Sequence, residues 1–156
     1  FVAVNLSEML SDVAREAGRI QDLRVKTDLL PDVHVLGNAT DLRRVVNNII
    51  ENARRYGTTP GKDYTEIDIA LRVKATGHGR RAVIEIGDHG VGVPPDQIAQ
   101  LMKPFTRLDS ARGQANGAGL GLAIVERVLT RHNAGLEVSN RNGGGFMLQV
   151  ALPLAG

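Results

Sequence analysis

Apolar positions along the chain change their period several times, and each change marks an element. Leu6, Leu10, Val13, Ala17 and Ile20 recur at helical spacing behind Asn5, with Glu8 three residues further on. This predicts a first helix capped by Asn5, with Glu8 as a capping-box partner. Two short extended stretches follow, at 25–30 and 33–36, broken at Pro31–Asp32. Leu42, Val45, Val46, Ile49, Ile50 and Ala53 then give a second helix one apolar face, with caps available from Asn38 to Thr40 and a stop at Gly57. Beyond a polar loop over 57–65, Ile67, Ile69, Leu71 and Val73 alternate as a half-buried strand. Residues 75–81 read as a hairpin connection into a strand carrying Ala82, Ile84 and Ile86.

Glycine and proline dominate 87–95, and a short helix is expected around 96–102. Residues 106–118 are polar, small and glycine-containing, can bury little, and are expected to be mobile. A third long helix is expected over about 119–132. A strand at 136–139, a turn at 140–144 and a strand at 146–152 close the chain, the last with Phe146, Leu148, Val150 and Leu152 on one face. Three long helices and five to seven strands joined mostly by hairpins predict helices on one face of a mixed sheet. No internal repeat or second domain is visible, so residues 1–156 are read as one domain.

Composition narrows the function classes. Aromatic residues are only 3%, so the core must rest on Leu, Ile, Val and Ala. Cysteine is absent, which excludes disulfides and thiolate metal sites and is compatible with a reducing compartment. No apolar run approaches the roughly 20 residues of a membrane helix, and no signal peptide is visible. The chain starts at Phe1 and not at Met, so an excised fragment is expected. A net charge of +2, few stacking aromatics and no basic stripe argue against nucleic-acid binding.

Three constellations carry candidate chemistry. In RVVNNIIENARRYG, Asn48 and Asn52 are four apart and share a helix face. Asparagine is a mediocre helix former, and its amide oxygen can ligate a hard cation without adding charge. A solvated polar face would also account for the run. Asp88–His89–Gly90–Val91–Gly92 follows a strand directly. A carboxylate there can accept from an exocyclic amine such as that of adenine, whereas guanine would oppose it with a second acceptor. An Asx-type turn is the plainer alternative. Gly117–Ala118–Gly119–Leu120–Gly121–Leu122 leads into the third helix, where free N–H groups and the helix dipole favour an anion. A flexible glycine hinge would read the same way. No Gly-Lys-Ser/Thr follows and no strand precedes, so neither a Walker A loop nor a dinucleotide fingerprint fits. Between the last two lies Lys103–Pro104–Phe105–Thr106–Arg107.

The order of the pieces is more specific than any one of them. Asn-rich helix, DxGxG, Pro-Phe and GxGLGL together resemble the catalytic domain of sensor histidine kinases. That family lies within the wider group of gyrase, heat-shock-chaperone and mismatch-repair ATPases. The run PFTRLDSARGQANGAGLGLAIVERVLTRHNAGLEV is most similar to osmosensor-type transmembrane histidine kinases. The resemblance implies a Bergerat-type α/β (α+β) two-layer sandwich. In it a mixed, mostly antiparallel sheet of about five strands packs on three helices, with a mobile ATP lid over about 106–118. It implies ATP and Mg2+ as ligands. Asn52 matches the magnesium-binding asparagine and Asn48 the upstream asparagine that faces the phosphates. Arg55 and Tyr56 match the basic and aromatic pair at the phosphate and nucleotide edge. Asp88, with Gly90 and Gly92, matches the adenine-reading glycine box. Phe105 matches the F-box phenylalanine, and Gly117, Gly119, Leu120 and Gly121 fall in the second glycine box at the lid hinge. Arg107 and Arg112 fall where lid-side arginines reach the triphosphate. Gly143 and Gly145 resemble a final glycine motif, read mainly as a hairpin turn. His89, the long 57–65 loop and Asn133 after His132 depart from the usual pattern.

By the same resemblance the γ-phosphate goes to a histidine on a separate dimerisation domain and then to a response regulator. His34, His78, His89 and His132 lack the sequence context of a phospho-acceptor, so that domain is expected to be absent here. The parent is expected to be a homodimeric inner-membrane sensor. This part would be cytoplasmic, largely monomeric, free of membrane and nucleic-acid contacts, and slow to turn over alone. ATPase relatives place a water-activating glutamate where Asn48 stands, and an amide cannot take that proton. Glu51, next to Asn52, points about 100° away on a helix. A hydrolase and a non-catalytic nucleotide sensor remain as the alternatives.

Overall fold

The computed structural model describes residues 1–56, 58–92 and 117–155, without the side chains of Tyr56 and 117–123. The expected helix at 96–102, Phe105, Arg107, Arg112 and the lid as far as residue 116 lie outside the described residues. The elements run β1 (Val2–Asn5), α1 (Leu6–Ala17), β2 (Leu23–Leu29), β3 (His34–Gly37), α2 (Ala39–Tyr56), β4 (Thr65–Thr76), β5 (Gly79–Asp88), α3 (Gly117–Arg131), β6 (Gly135–Asn140) and β7 (Phe146–Pro153).

Five strands form one sheet in the order β2-β4-β5-β7-β6. β2 lies parallel to β4, and every other neighbour in that sheet is antiparallel. β1 and β3 pair antiparallel in a separate ribbon. The alternation anticipated for β4 holds: Thr65, Ile67, Ile69 and Leu71 are buried, and Arg72 is exposed. Ala82, Ile84 and Ile86 of β5 and Val150 and Leu152 of β7 join them. Leu6, Leu10 and Val13 of α1, Leu42, Val45, Val46 and Ile49 of α2, and Val125, Val128 and Leu129 of α3 complete one core. Each buried Leu, Ile or Val among them contributes about 1.5–3 kcal/mol. Phe146 and Leu148, at the start of the β7 face, are only half-buried.

Among the differences from the sequence reading, three bear on the architecture. β1 was not expected: Val2–Asn5 is too short to show a period, and its partner is the remote β3. The hairpin connection at 75–81 shrinks to Gly77–His78, because the β4–β5 ladder runs out to the Thr76–Gly79 pair. Ladder hydrogen bonds form there under polar, exposed side chains, which an apolar period cannot reveal. α3 begins at Gly117, two residues early, so its glycines lie within the first turns and not in a loop ahead of them.

Two caps hold the helices that matter most for the site. Asn38 Oδ1 accepts from Asp41 N at 3.0 Å, closing the α2 N-terminus. The Asn38 main-chain N–H in turn donates to His132 Nε2 at 3.0 Å, while His132 Nδ1 lies 2.8 Å from Val128 O. Nδ1 therefore carries the proton, and the ring ties the end of α3 to the start of α2. Asn133 takes a φ of 54°, with Ala134 N bonded to Leu129 O at 2.9 Å and Asn133 N to Thr130 O at 3.2 Å. This is a Schellman ending in which asparagine does the work usually given to glycine.

Candidate nucleotide-binding site

α2 packs on β4 and β5, so the Asn48–Asn52 face and the end of β5 belong to the same side of the sheet. Asp88 is the last residue of β5 and is only 7% exposed. Its Oδ1 accepts from Gly90 N at 2.8 Å and from Phe146 N at 3.1 Å. The first of these is the Asx-type turn anticipated as the plain alternative. It leaves Oδ2 without a donor among the described residues. Burial pushes the Asp88 carboxyl above its usual range, opposed by the two backbone N–H groups and by the charges of Arg141 and His89. A buried carboxylate with one oxygen held and one open can accept a hydrogen bond from an amine placed against it.

The loop after Asp88 rests on the β6–β7 turn. Gly143, Gly144 and Gly145 all have φ near +90 to +113°, a region that side chains avoid. A Cβ on Gly145 would collide with the Asp88 carbonyl oxygen, and one on Gly92 would lie 2.6 Å from Asn140 Oδ1. The final glycine motif is thus a hairpin turn, and also the seat of the Asp88 loop. Arg141 completes the seat: Nη1 donates to Asp88 O at 3.0 Å and Nη2 to Asp68 Oδ2 at 3.0 Å. His89 Nε2 shares Asp68 Oδ2 at 2.8 Å. Asp68 and Arg141 were missed from sequence. They come from β4 and the β6–β7 turn, and only the β4 alternation, which puts Asp68 on the face away from the core, hinted at one of them.

On α2, Asn47 is exposed while Asn48 and Asn52 are half-buried. Asn48 Nδ2 is fully buried and has no hydrogen-bond partner among the described residues. Such an orphan costs about 1–3 kcal/mol unless a ligand completes it. Asn52 makes no hydrogen bond or ion pair among the described residues. No cluster of three His, Asp or Glu side chains capable of holding a metal occurs among them either. A neutral amide beside an unsatisfied one suits a magnesium ion that takes most of its ligands from phosphate and water. Glu51 faces Arg54 at 3.7 Å and Arg55 at 3.9 Å on an exposed part of the helix. Arg55 therefore leans on Glu51 in this structure. Gly117, Gly119, Leu120 and Gly121 lie in the first turns of α3, whose leading N–H groups have no intrahelical acceptor.

Residues 37–156 match the family model of histidine kinase-, DNA gyrase B- and HSP90-like ATPases. The sensor histidine kinase RppB of Synechocystis sp. is 32% identical over 155 residues, covering 96% of this chain and 32% of RppB. The chain thus spans about a third of the length of the curated relatives it matches. The ATP-binding domain of PrrB from Mycobacterium tuberculosis superposes with a TM-score of 0.75 at 26% identity, covering 99% of this chain and 98% of that one. The histidine kinase domain of the Escherichia coli osmosensor EnvZ gives 0.70 at 31% identity, covering 99% and 89%. The five-stranded mixed sheet on three helices is the fold of these domains. The chain belongs to the histidine kinase-, DNA gyrase B- and HSP90-like ATPase family, as an ATP-binding domain of the sensor-histidine-kinase kind.

Proposed function

We propose that this domain binds Mg-ATP and donates the γ-phosphoryl group to a histidine carried on a separate dimerisation domain, for relay to an aspartate of a response regulator. Asp88 Oδ2 accepts from the adenine amine. Asn52 supplies an oxygen to the magnesium and Asn48 donates its unpaired N–H to the phosphates. The α3 N-terminus and the glycine box face the triphosphate, and Tyr56, Phe105, Arg107 and Arg112 line the nucleotide edge and lid. Magnesium, when bound, neutralises charge that develops on the transferring group. The acceptor histidine nitrogen bonds to the γ-phosphorus as the bond to the ADP oxygen breaks. The parent would be a homodimeric membrane sensor with this domain on its cytoplasmic side. No described helix is long and apolar enough to cross a membrane.

Asn48 carries the choice of kinase over hydrolase. An amide cannot activate water, and Glu51 is engaged by two arginines on the exposed side of α2. Mixing the chain with a histidine-bearing dimerisation domain and γ-labelled ATP tests the reading. Label on histidine is the expected result. Nucleotide binding without transfer would identify a sensor module, and phosphate release by the chain alone would identify a hydrolase.

A further inference from the structure

We infer that Arg141, anchored by Asp68, is a positioning residue that sets the purine preference of the site by clamping the main chain at Asp88. The inference rests on the adenine-reading role proposed above for Asp88. Arg141 reaches across the sheet from the β6–β7 turn, and its guanidinium lies over Gly87, where a Cβ would meet Nη1 at 2.9 Å and Cζ at 3.0 Å. One arm of its fork holds the Asp88 carbonyl and the other holds Asp68, at 3.0 Å each. Its side chain is only 21% exposed, and that of Asp68 32%. Charge-assisted bonds in such partly desolvated positions are among the stronger ones in a protein. Asp88 is thereby fixed at three points: carbonyl to Arg141, Oδ1 to Gly90 N and Oδ1 to Phe146 N. With main chain and one carboxylate oxygen pinned, Oδ2 has a single direction left.

The consequence concerns selectivity. Adenine offers a donor to Oδ2, and a misaimed Oδ2 loses that bond. Guanine meets a well-aimed Oδ2 with an acceptor of its own, so loosening the clamp should not weaken its binding. Lysine at 141 could reach one acceptor but lacks the two-armed geometry. Asp68→Asn keeps the shape of the anchor and removes its charge.

The test is calorimetric titration of the unmutated chain and of Arg141→Ala, Arg141→Lys and Asp68→Asn, each with non-hydrolysable Mg-ATP and Mg-GTP analogues. The unmutated chain should prefer adenine; failure there sinks the Asp88 reading and not the clamp in particular. Arg141→Ala should lose about ten-fold in adenine affinity with no loss of guanine affinity. Arg141→Lys should recover part of the loss, and Asp68→Asn should shift the ratio in the same direction by a smaller factor. An unchanged adenine-to-guanine ratio in Arg141→Ala, or an equal loss for both nucleotides, overturns the inference. Should Arg141→Ala not fold, the ratio in Asp68→Asn decides the matter alone: unchanged, it overturns the clamp.

Discussion

The two ends of the candidate site are built on opposite plans. At the β5 end the protein satisfies its own polar groups: Asp88 is gripped by two backbone N–H groups, and its carbonyl by Arg141. On α2 it does the reverse, leaving Asn48 Nδ2 buried and without a partner among the described residues. A preformed acceptor suits a rigid ring that must be told apart from its analogue. Unpaired amides suit a flexible, hydrated triphosphate whose metal brings most of its own ligands. Affinity should therefore be concentrated on α2, and selectivity at Asp88.

That division can be broken most easily at Asn52. Asn52→Ala should weaken Mg-ATP binding by about ten- to a hundred-fold, on the scale of disturbed metal sites. Binding measured in EDTA should barely change, and an equal loss with and without magnesium would refute the assignment. Next in size is Asp88→Asn, which keeps Oδ1 for its two N–H donors but turns an amide towards the purine. The adenine-to-guanine ratio should fall about ten-fold, as read by competition titration. The same variant should flatten the pH profile of the unmutated chain. Protonated Asp88 cannot accept from the amine, so adenine affinity should fall on acidification, starting at a higher pH than an ordinary aspartate would allow. Linkage gives stability the opposite sign. A carboxyl raised in the folded state contributes fully below its unfolded pKa, and that contribution is lost as pH rises through the folded one. Glu85 runs the other way. Burial would raise it, but hydrogen bonds from Lys74, Gln149 and Arg72 hold it below its usual range. Its contribution is present above the unfolded pKa and lost as pH falls through the folded one. The smallest effect belongs to Asn48→Ala, which removes an orphaned donor and a poor helix former. The ligand-free chain should gain about 0.5–1 kcal/mol in a denaturation experiment while Mg-ATP binding weakens. A loss of stability would show that the amide is satisfied without nucleotide.

Much of the fold could be read from sequence because its determinants are local. The 3.6-residue period of Leu42 to Ala53, the N-cap asparagines at 5 and 38, and the alternation from Ile67 to Val73 each act within a few residues. β1 could not be read, since four residues show no period and their partner is β3. The departure at Asn133 is explained by its φ of 54°. Asparagine tolerates the left-handed conformation that the helix ending needs. In the site, Asp88 stood out because strand, carboxylate and glycines are contiguous. Asp68 and Arg141 did not, since they are 73 positions apart and meet only when β4 and the β6–β7 turn are brought together. His132 likewise carries no local signal for its tie to Asn38, which spans 94 positions.

The parallel pairing of β2 with β4 has a consequence for how the site comes into being. Leu23 meets Thr65 only after the intervening chain has turned back on itself through β3 and α2. Two parallel neighbours need such a crossover, and here the crossover segment is the helix that bears Asn48 and Asn52. Pairing of that sheet edge closes the loop containing the helix, a step that loop-closure entropy opposes. The edge pairing and the asparagine face are thus carried by one continuous crossover, and closing the edge holds both ends of the segment that bears the phosphate end of the site.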